Sequence, residues 1–228
     1  WETYLPAFKA LVQDANVKEV MCAYNRYEGD PCCGSDRLLT QILREEWGYD
    51  GIVVSDCWAI NDFYRKEHSH QTHPDAESAS ADAVLSGTDL ECGGSYKALV
   101  ESVKRGLINE KDIDVSVKRL LKARFELGEM DDPSEVSWTK IPFSVVASAE
   151  HDALALDMAR KTMTLLQNKN NILPLKKEGM TYAVMGPNAN DSVMQWGNYN
   201  GIPPRTITML EGIRNALGNT DKLMYVPG

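Results

Sequence analysis

The residue types that could carry chemistry in this sequence gather where short apolar runs end. Val17–Tyr24 (VKEVMCAY) closes on Tyr24-Asn25, Gly51–Ser55 (GIVVS) runs into Asp56-Cys57-Trp58, and Thr88–Glu91 delivers Asp89-Leu90-Glu91-Cys92. Each run has the look of a buried strand, and in parallel α/β sheets ligands collect at the carboxyl ends of the strands. Such a rim would hold carboxylates, thiols and the aromatic rings of Tyr24 and Trp58. An Asp after an apolar strand also reads as a helix cap or turn residue. Residue types alone leave both readings open.

The elements that would position this rim alternate. Residues 1–16 carry Leu5, Phe8, Leu11 and Val12 at helical spacing, before the first strand at Val17–Tyr24. Ser35 or Asp36 could cap a helix over Arg37–Trp47, with Leu38, Leu39, Ile42 and Leu43 on one face. The second strand is Gly51–Ser55, the next helix Asp75–Leu85, the next strand Thr88–Glu91, with helices again at Tyr96–Gly106 and Glu110–Leu127. Continuous apolar strands alternating with helices predict a parallel sheet covered by helices. Gly128–Ser148, holding Pro133 and Pro142, reads as a linker. After it come a helix at Glu150–Thr162, strand and turn at Leu165–Leu175, a strand at Tyr182–Gly186, a helix at Ile207–Leu217 and a strand at Lys222–Val226. This second unit is again α/β.

Composition narrows the function class. The 228 residues carry 24 Lys plus Arg against 33 Asp plus Glu, a net charge of -9, with 43% apolar residues. That is globular composition, and an acidic chain lacks the basic face that nucleic acid requires. No run approaches the roughly 18 apolar residues of a membrane-spanning helix. From Trp1 onward no basic n-region or apolar h-region of a targeting segment is visible, and both ends of the chain look cut. Cys22, Cys32, Cys33, Cys57 and Cys92 form no CxxC pair, so neither a disulfide scaffold nor a zinc site is indicated, and mostly buried thiols are expected. His68, His70 and His73 form an HxHxxH loop whose spacing fits no helical pair of metal ligands. It reads as a solvated loop, one that could rim the mouth of a site.

The exact strings go further. Residues 21–58 combine a Tyr-Asn pair, the helix pattern LLTQILREEWG and a strand ending in Ser-Asp; GTDLECG, residues 106–128, Leu165–Leu175, GPNA (186–189) and GNYNG (197–201) follow in order. In this the whole chain resembles glycoside hydrolase family 3. The resemblance implies a fold: the C-terminal half of a (β/α)8 TIM-type barrel over residues 1–127, a linker at 128–148 and the start of an α/β sandwich domain at 149–228. It also implies a retaining exo-β-glycosidase that needs no metal or other cofactor, acting on terminal β-D-xylosyl or β-D-glucosyl residues of plant-derived oligosaccharides.

By the same resemblance Asp56 aligns with the nucleophile, and a carboxylate suits that role because it can attack C1 and later leave. Tyr24 would line the sugar subsite, and Trp58 would offer an apolar platform for the next sugar. Cys57 replaces the Trp of the commoner Ser-Asp-Trp pattern. With Asp-Leu-Glu-Cys-Gly it resembles the xylosidase-type members, where Cys57 and Cys92 would lie close together and narrow the pocket. The family's upstream Lys-His pair is absent, and no Glu in 149–228 sits in a motif comparable to that of the acid/base. A complete barrel takes about 250 residues, so the rest of the same polypeptide, or a second chain, would complete it. The alternatives are a catalytically incomplete fragment that only binds carbohydrate or plays a structural part, and a β-N-acetylglucosaminidase or arabinosidase relative. Expected partners are thus an oligosaccharide or β-glycoside, with no nucleic acid and no membrane. A periplasmic or secreted location is what such enzymes commonly show.

Overall fold

The computed structural model describes residues 1–67, 69–198, 201–218 and 222–228. The chain forms two compact units, Trp1–Lys140 and Ile141–Gly228, so the division falls inside the segment predicted as linker.

In the first unit, α1 (Leu5–Gln13) leads into β1 (Glu19–Cys22), and a small hairpin of β2 (Arg26–Tyr27) and β3 (Asp30–Pro31) follows. Next comes Arg37–Glu46, predicted as an α-helix but wound as a π-helix, burying Leu39, Ile42 and Leu43. The Ser35 hydroxyl accepts from the Leu38 N–H, so Ser35 rather than Asp36 caps it. β4 (Ile52–Ser55) then pairs with β1 in parallel, Glu19 opposite Ile52 and Cys22 opposite Ser55. α2 (Ala76–Ser86) is capped by the Asp75 carboxylate, which accepts from the Ser78 N–H, and it ends at Gly87 with φ +113°. Its buried positions are small, Ala79, Ser80, Ala81 and Ala83 among them, which lets neighbouring elements approach closely. α3 (Leu99–Lys104) and α4 (Glu110–Glu126) complete the unit.

The strand expected at Thr88–Glu91 is reduced to a single parallel bridge between Leu90 and Val54. The reason is Asp89. Its backbone N–H and that of Leu90 both donate to the Val53 carbonyl, while its own carboxylate Oδ2 accepts the Val53 N–H at 2.9 Å. A side chain has taken the ladder place of a backbone carbonyl. The Asp89 side chain is fully buried; Oδ2 also accepts from Arg44 at 2.7 Å, and Oδ1 from Arg119 at 2.8 Å and Ser116 at 3.0 Å. Arg44 reaches on to the carbonyls of Gly51 and Gly87, and its guanidinium lies 5.7 Å over the Tyr49 ring. Burial lowers the Arg44 pKa, and the Asp89 charge opposes that shift.

The cysteines, expected as mostly buried thiols, form two disulfides, one of them between Cys57 and Cys92, which the family resemblance places close together. Cys22 at the end of β1 is bonded to Cys33, and Cys57 to Cys92, leaving Cys32 as the buried free cysteine. The Cα–Cα distances, 5.2 and 4.3 Å, are set by folding across 11 and 35 residues, which no spacing rule anticipates.

In the second unit, α5 (Ala149–Thr162) is capped by Ser148. β5 (Tyr182–Met185) and β6 (Leu223–Val226) pair in parallel, and α6 (Ser192–Trp196) and α7 (Met209–Leu217) lie between them in sequence. The strand expected within Leu165–Leu175 is absent. The Asn168 side chain donates to the Leu173 carbonyl and accepts its N–H, and Asn170 and Asn171 take positive φ. Local side-chain bonds have replaced a strand partner. Within the predicted GNYNG loop, Tyr199 and Asn200 lie outside the described residues. Among the described residues no helix is long and apolar enough to cross a membrane.

Two outcomes are expected. Asp89→Ala leaves two arginines facing a buried void and should cost about 3–5 kcal/mol in urea unfolding; a loss below about 1 kcal/mol would place the stability elsewhere. When denatured, unreduced protein is alkylated and digested, Cys32 should carry label, while Cys22–Cys33 and Cys57–Cys92 should appear as linked peptides. Label on all five cysteines would remove both bridges.

Candidate active site

Ser55 ends β4 fully inside the protein, and its backbone N–H donates to the Leu90 carbonyl at 2.8 Å. Its hydroxyl accepts the Cys92 N–H at 3.0 Å, which draws the 90–92 segment to the strand end. Asp56 is the next residue. Its N–H extends the ladder to the Cys22 carbonyl at 3.0 Å, so its backbone is fixed by β1. Its half-buried side chain emerges beyond the sheet, and Oδ1 accepts the Cys57 N–H at 2.7 Å. The carboxylate thus sits at the carboxyl end of a parallel pair, held by strand geometry on one side and a backbone donor on the other.

The neighbours form a small rim. Tyr24, just past β1, donates its hydroxyl to the Cys57 carbonyl at 2.6 Å. Cys57 is bonded to Cys92, and the Trp58 N–H donates to the Cys92 carbonyl at 2.6 Å. Trp58 has φ +67°, a left-handed conformation unusual for an aromatic residue, and its side chain is largely exposed. Strain of this kind persists where surrounding contacts over-determine it. Here the disulfide and the Trp58–Cys92 bond do so. Five of the residues singled out from the sequence (Tyr24, Asp56, Cys57, Trp58 and Cys92) lie together at this one rim.

Two carboxylates expected beside it turn away. Asp89 points into the core, among Arg44, Arg119, Ser116 and the Val53 N–H. Glu91 accepts the N–H groups of Ser95 and Tyr96, at 2.8 and 2.7 Å, and so caps the turn that leads into α3. Gly93 follows because a Cβ there would meet Glu91 Oε1 at 2.6 Å.

The histidine loop divides. His68 lies outside the described residues. His73 packs its ring 5.4 Å from that of Phe63 and points Nε2 toward Asp82 at 3.4 Å, whose carboxyl is pushed up by burial. His70 instead reaches the rim, with Nε2 2.7 Å from the Tyr24 carbonyl. Among the described residues no three His, Cys, Asp or Glu side chains gather as they would around a metal ion. His70 and its neighbour Arg26 were not picked as site residues from the sequence. The signal was there in part, because Arg26 directly follows the Tyr-Asn pair.

Both units of the chain are similar to known proteins. Residues 1–123 match the glycosyl hydrolase family 3 N terminal domain, and residues 163–225 the family's C-terminal domain. The chain is 56% identical over its full length to a xylan 1,4-beta-xylosidase of Xylanibacter ruminicola, covering 26% of that protein. It is 37% identical, again over its full length, to a beta-xylosidase/alpha-L-arabinofuranosidase of Medicago sativa subsp. varia, covering 29% of it. Among solved structures, a GH3 exo-beta-xylosidase in complex with a xylobiose aziridine activity-based probe matches 99% of the chain at TM-score 0.83 and 32% identity, over 29% of its own length. A beta-glucosidase from Listeria innocua in complex with glucose matches 98% of the chain at TM-score 0.77 and 27% identity, over 30% of its own length. The chain therefore spans between a quarter and three tenths of the length of these relatives. By its sequence matches in both units, it belongs to glycosyl hydrolase family 3.

Proposed function

We propose that the protein containing this chain is a retaining exo-β-glycosidase that removes terminal β-D-xylosyl residues from plant-derived oligosaccharides, with β-D-glucosyl residues as weaker substrates. In this reading residues 1–127 are the C-terminal half of a (β/α)8 barrel and residues 149–228 open an α/β sandwich domain. The open edge of β1 supports the need for further chain. A cavity of about 520 Å³ beside that edge is lined by apolar groups, including Phe8, Val20, Met21 and Leu43. The rest of the polypeptide would cover it and supply the acid/base carboxyl group.

The observation that carries the reading is Asp56, a carboxylate at the carboxyl end of β4, within a rim of aromatic and cystine side chains. With Oδ1 held by the Cys57 N–H, Oδ2 is the attacking oxygen. It forms an ester to C1 while the leaving oxygen takes a proton from the acid/base group. Water, deprotonated by that same group, then cleaves the ester with net retention. Retention calls for the two carboxyl groups to lie about 5 to 5.5 Å apart. Tyr24 would contact the bound sugar, and Trp58 would stack on the next one.

The Cys57–Cys92 bridge favours xylose. It occupies the rim beside Asp56, where the hydroxymethyl group of a hexose would need space. Named activities of the relatives, β-xylosidase above all, agree with that preference. Cystines in the site also suit a periplasmic or secreted protein, since they persist in oxidising compartments.

Asp56→Asn in the full-length protein should lower kcat on a nitrophenyl β-xyloside by roughly 10^4-fold or more, with the fold intact by circular dichroism; wild-type turnover would refute the nucleophile. The wild type should favour nitrophenyl β-xyloside over β-glucoside in kcat/KM by about 10- to 100-fold. Replacing Cys57 and Cys92 together by Ala should shrink that ratio, and an unchanged ratio would remove the bridge from specificity.

A further inference from the structure

Two of the contacts that hold Tyr24 come from the chain that follows Asp56, one from Cys57 and one from the histidine loop. Its hydroxyl donates to the Cys57 carbonyl at 2.6 Å. Its backbone carbonyl, beyond the last paired residue of β1, meets His70 Nε2 at 2.7 Å, and the His70 N–H donates to the Asp62 carbonyl at 2.8 Å. Cys57 and Asp62 belong to the stretch that directly follows Asp56. The tyrosine ring and the tyrosine backbone are therefore both referenced to the chain that carries the carboxylate.

The tautomer of His70 is set by its other neighbour. Arg26 donates from Nε to His70 Nδ1 at 3.2 Å and from Nη2 to the His70 carbonyl. A guanidinium can only donate, so Nδ1 accepts and the ring carries its proton on Nε2, which donates to Tyr24. The histidine loop is itself anchored, since the His73 N–H donates to the Phe63 carbonyl at 2.9 Å and its ring packs on Phe63. Arg26 and His70 form a latch across the mouth of the rim.

We propose that His70, oriented by Arg26, is a positioning residue that sets Tyr24 against the sugar bound at Asp56. The proposal rests on the reading of Tyr24 as a sugar-subsite residue. Beyond the last paired residue of β1 the Tyr24 carbonyl meets the imidazole rather than a strand, so the His70 ring helps to fix its direction. Without that bond the ring can still reach Cys57, but the backbone that aims it is less firmly set.

The test is a double-mutant cycle on nitrophenyl β-xyloside in the full-length protein. His70→Ala should lower kcat/KM about ten- to a hundredfold, the scale set by a misplacement of about 1 Å. His70→Gln, whose amide offers one donor and one acceptor as the neutral imidazole does, should restore most of it. In a Tyr24→Ala background His70→Ala should cost nothing further, because its effect passes through Tyr24. An unchanged kcat/KM in His70→Ala, a loss that adds in full to that of Tyr24→Ala, or no recovery in His70→Gln would each overturn the proposal. Should His70→Ala fail to fold, Arg26→Gln carries the same expectation of a loss that vanishes in the Tyr24→Ala background. If Tyr24→Ala itself leaves kcat/KM unchanged, the subsite reading falls and the latch with it. A loss in Tyr24→Ala with none in His70→Ala removes the latch alone.

Discussion

A buried negative charge organises the first unit. Asp89 has no exposed side-chain surface, and its carboxylate oxygens accept from Arg44, Arg119, Ser116 and the Val53 N–H. These partners come from the π-helix, α4 and β4, so one side chain joins the elements that surround the strand ends. Such a cluster adds little net stability, because desolvating the charges offsets most of their attraction. Its effect is on arrangement: an alternative packing would strand a carboxylate or a guanidinium in the interior, which costs far more than a lost apolar contact.

The site depends on that arrangement. Asp89 holds its neighbour Leu90 beside β4, and two residues on, Cys92 comes within reach of both the Ser55 hydroxyl and Cys57. The bridge and the Trp58–Cys92 hydrogen bond then impose the left-handed turn at Trp58 that follows Asp56. From buried charge to exposed rim the chain of constraint is continuous. The interior carboxylate shapes the fold, and the half-buried Asp56 is the one that the proposed function uses. Two acidic residues at strand ends have come to opposite environments because one meets cations and backbone donors in the core, while the other emerges past the ladder.

Much of this was legible in the sequence. The apolar runs and their Ser-Asp and Tyr-Asn endings placed β1, β4 and the rim residues, because strand burial leaves a local hydrophobic signature. The helices expected at Asp75–Leu85 and Glu150–Thr162 are there as well, and the structure shows that Asp75 and Ser148 cap them. The π-winding of Arg37–Glu46 was not legible, since over ten residues the apolar positions Leu39, Ile42 and Leu43 suit either pitch. Nor was the loss of the third strand, where a side chain replaced a backbone acceptor.

What the sequence by itself determined is therefore the family and the identity of the residues at the strand ends, both written in contiguous strings. Tertiary structure decided which acid is buried, that Cys22 bonds Cys33 and that Cys57 and Cys92, placed close by the resemblance, are joined, and which histidine turns to the rim. Cys57 and Cys92, Asp89 and Arg119, and His70 and Tyr24 each meet across 30 or more residues. The physical reason is that pairing depends on the distance between groups after folding, and no local pattern of residue types encodes that distance.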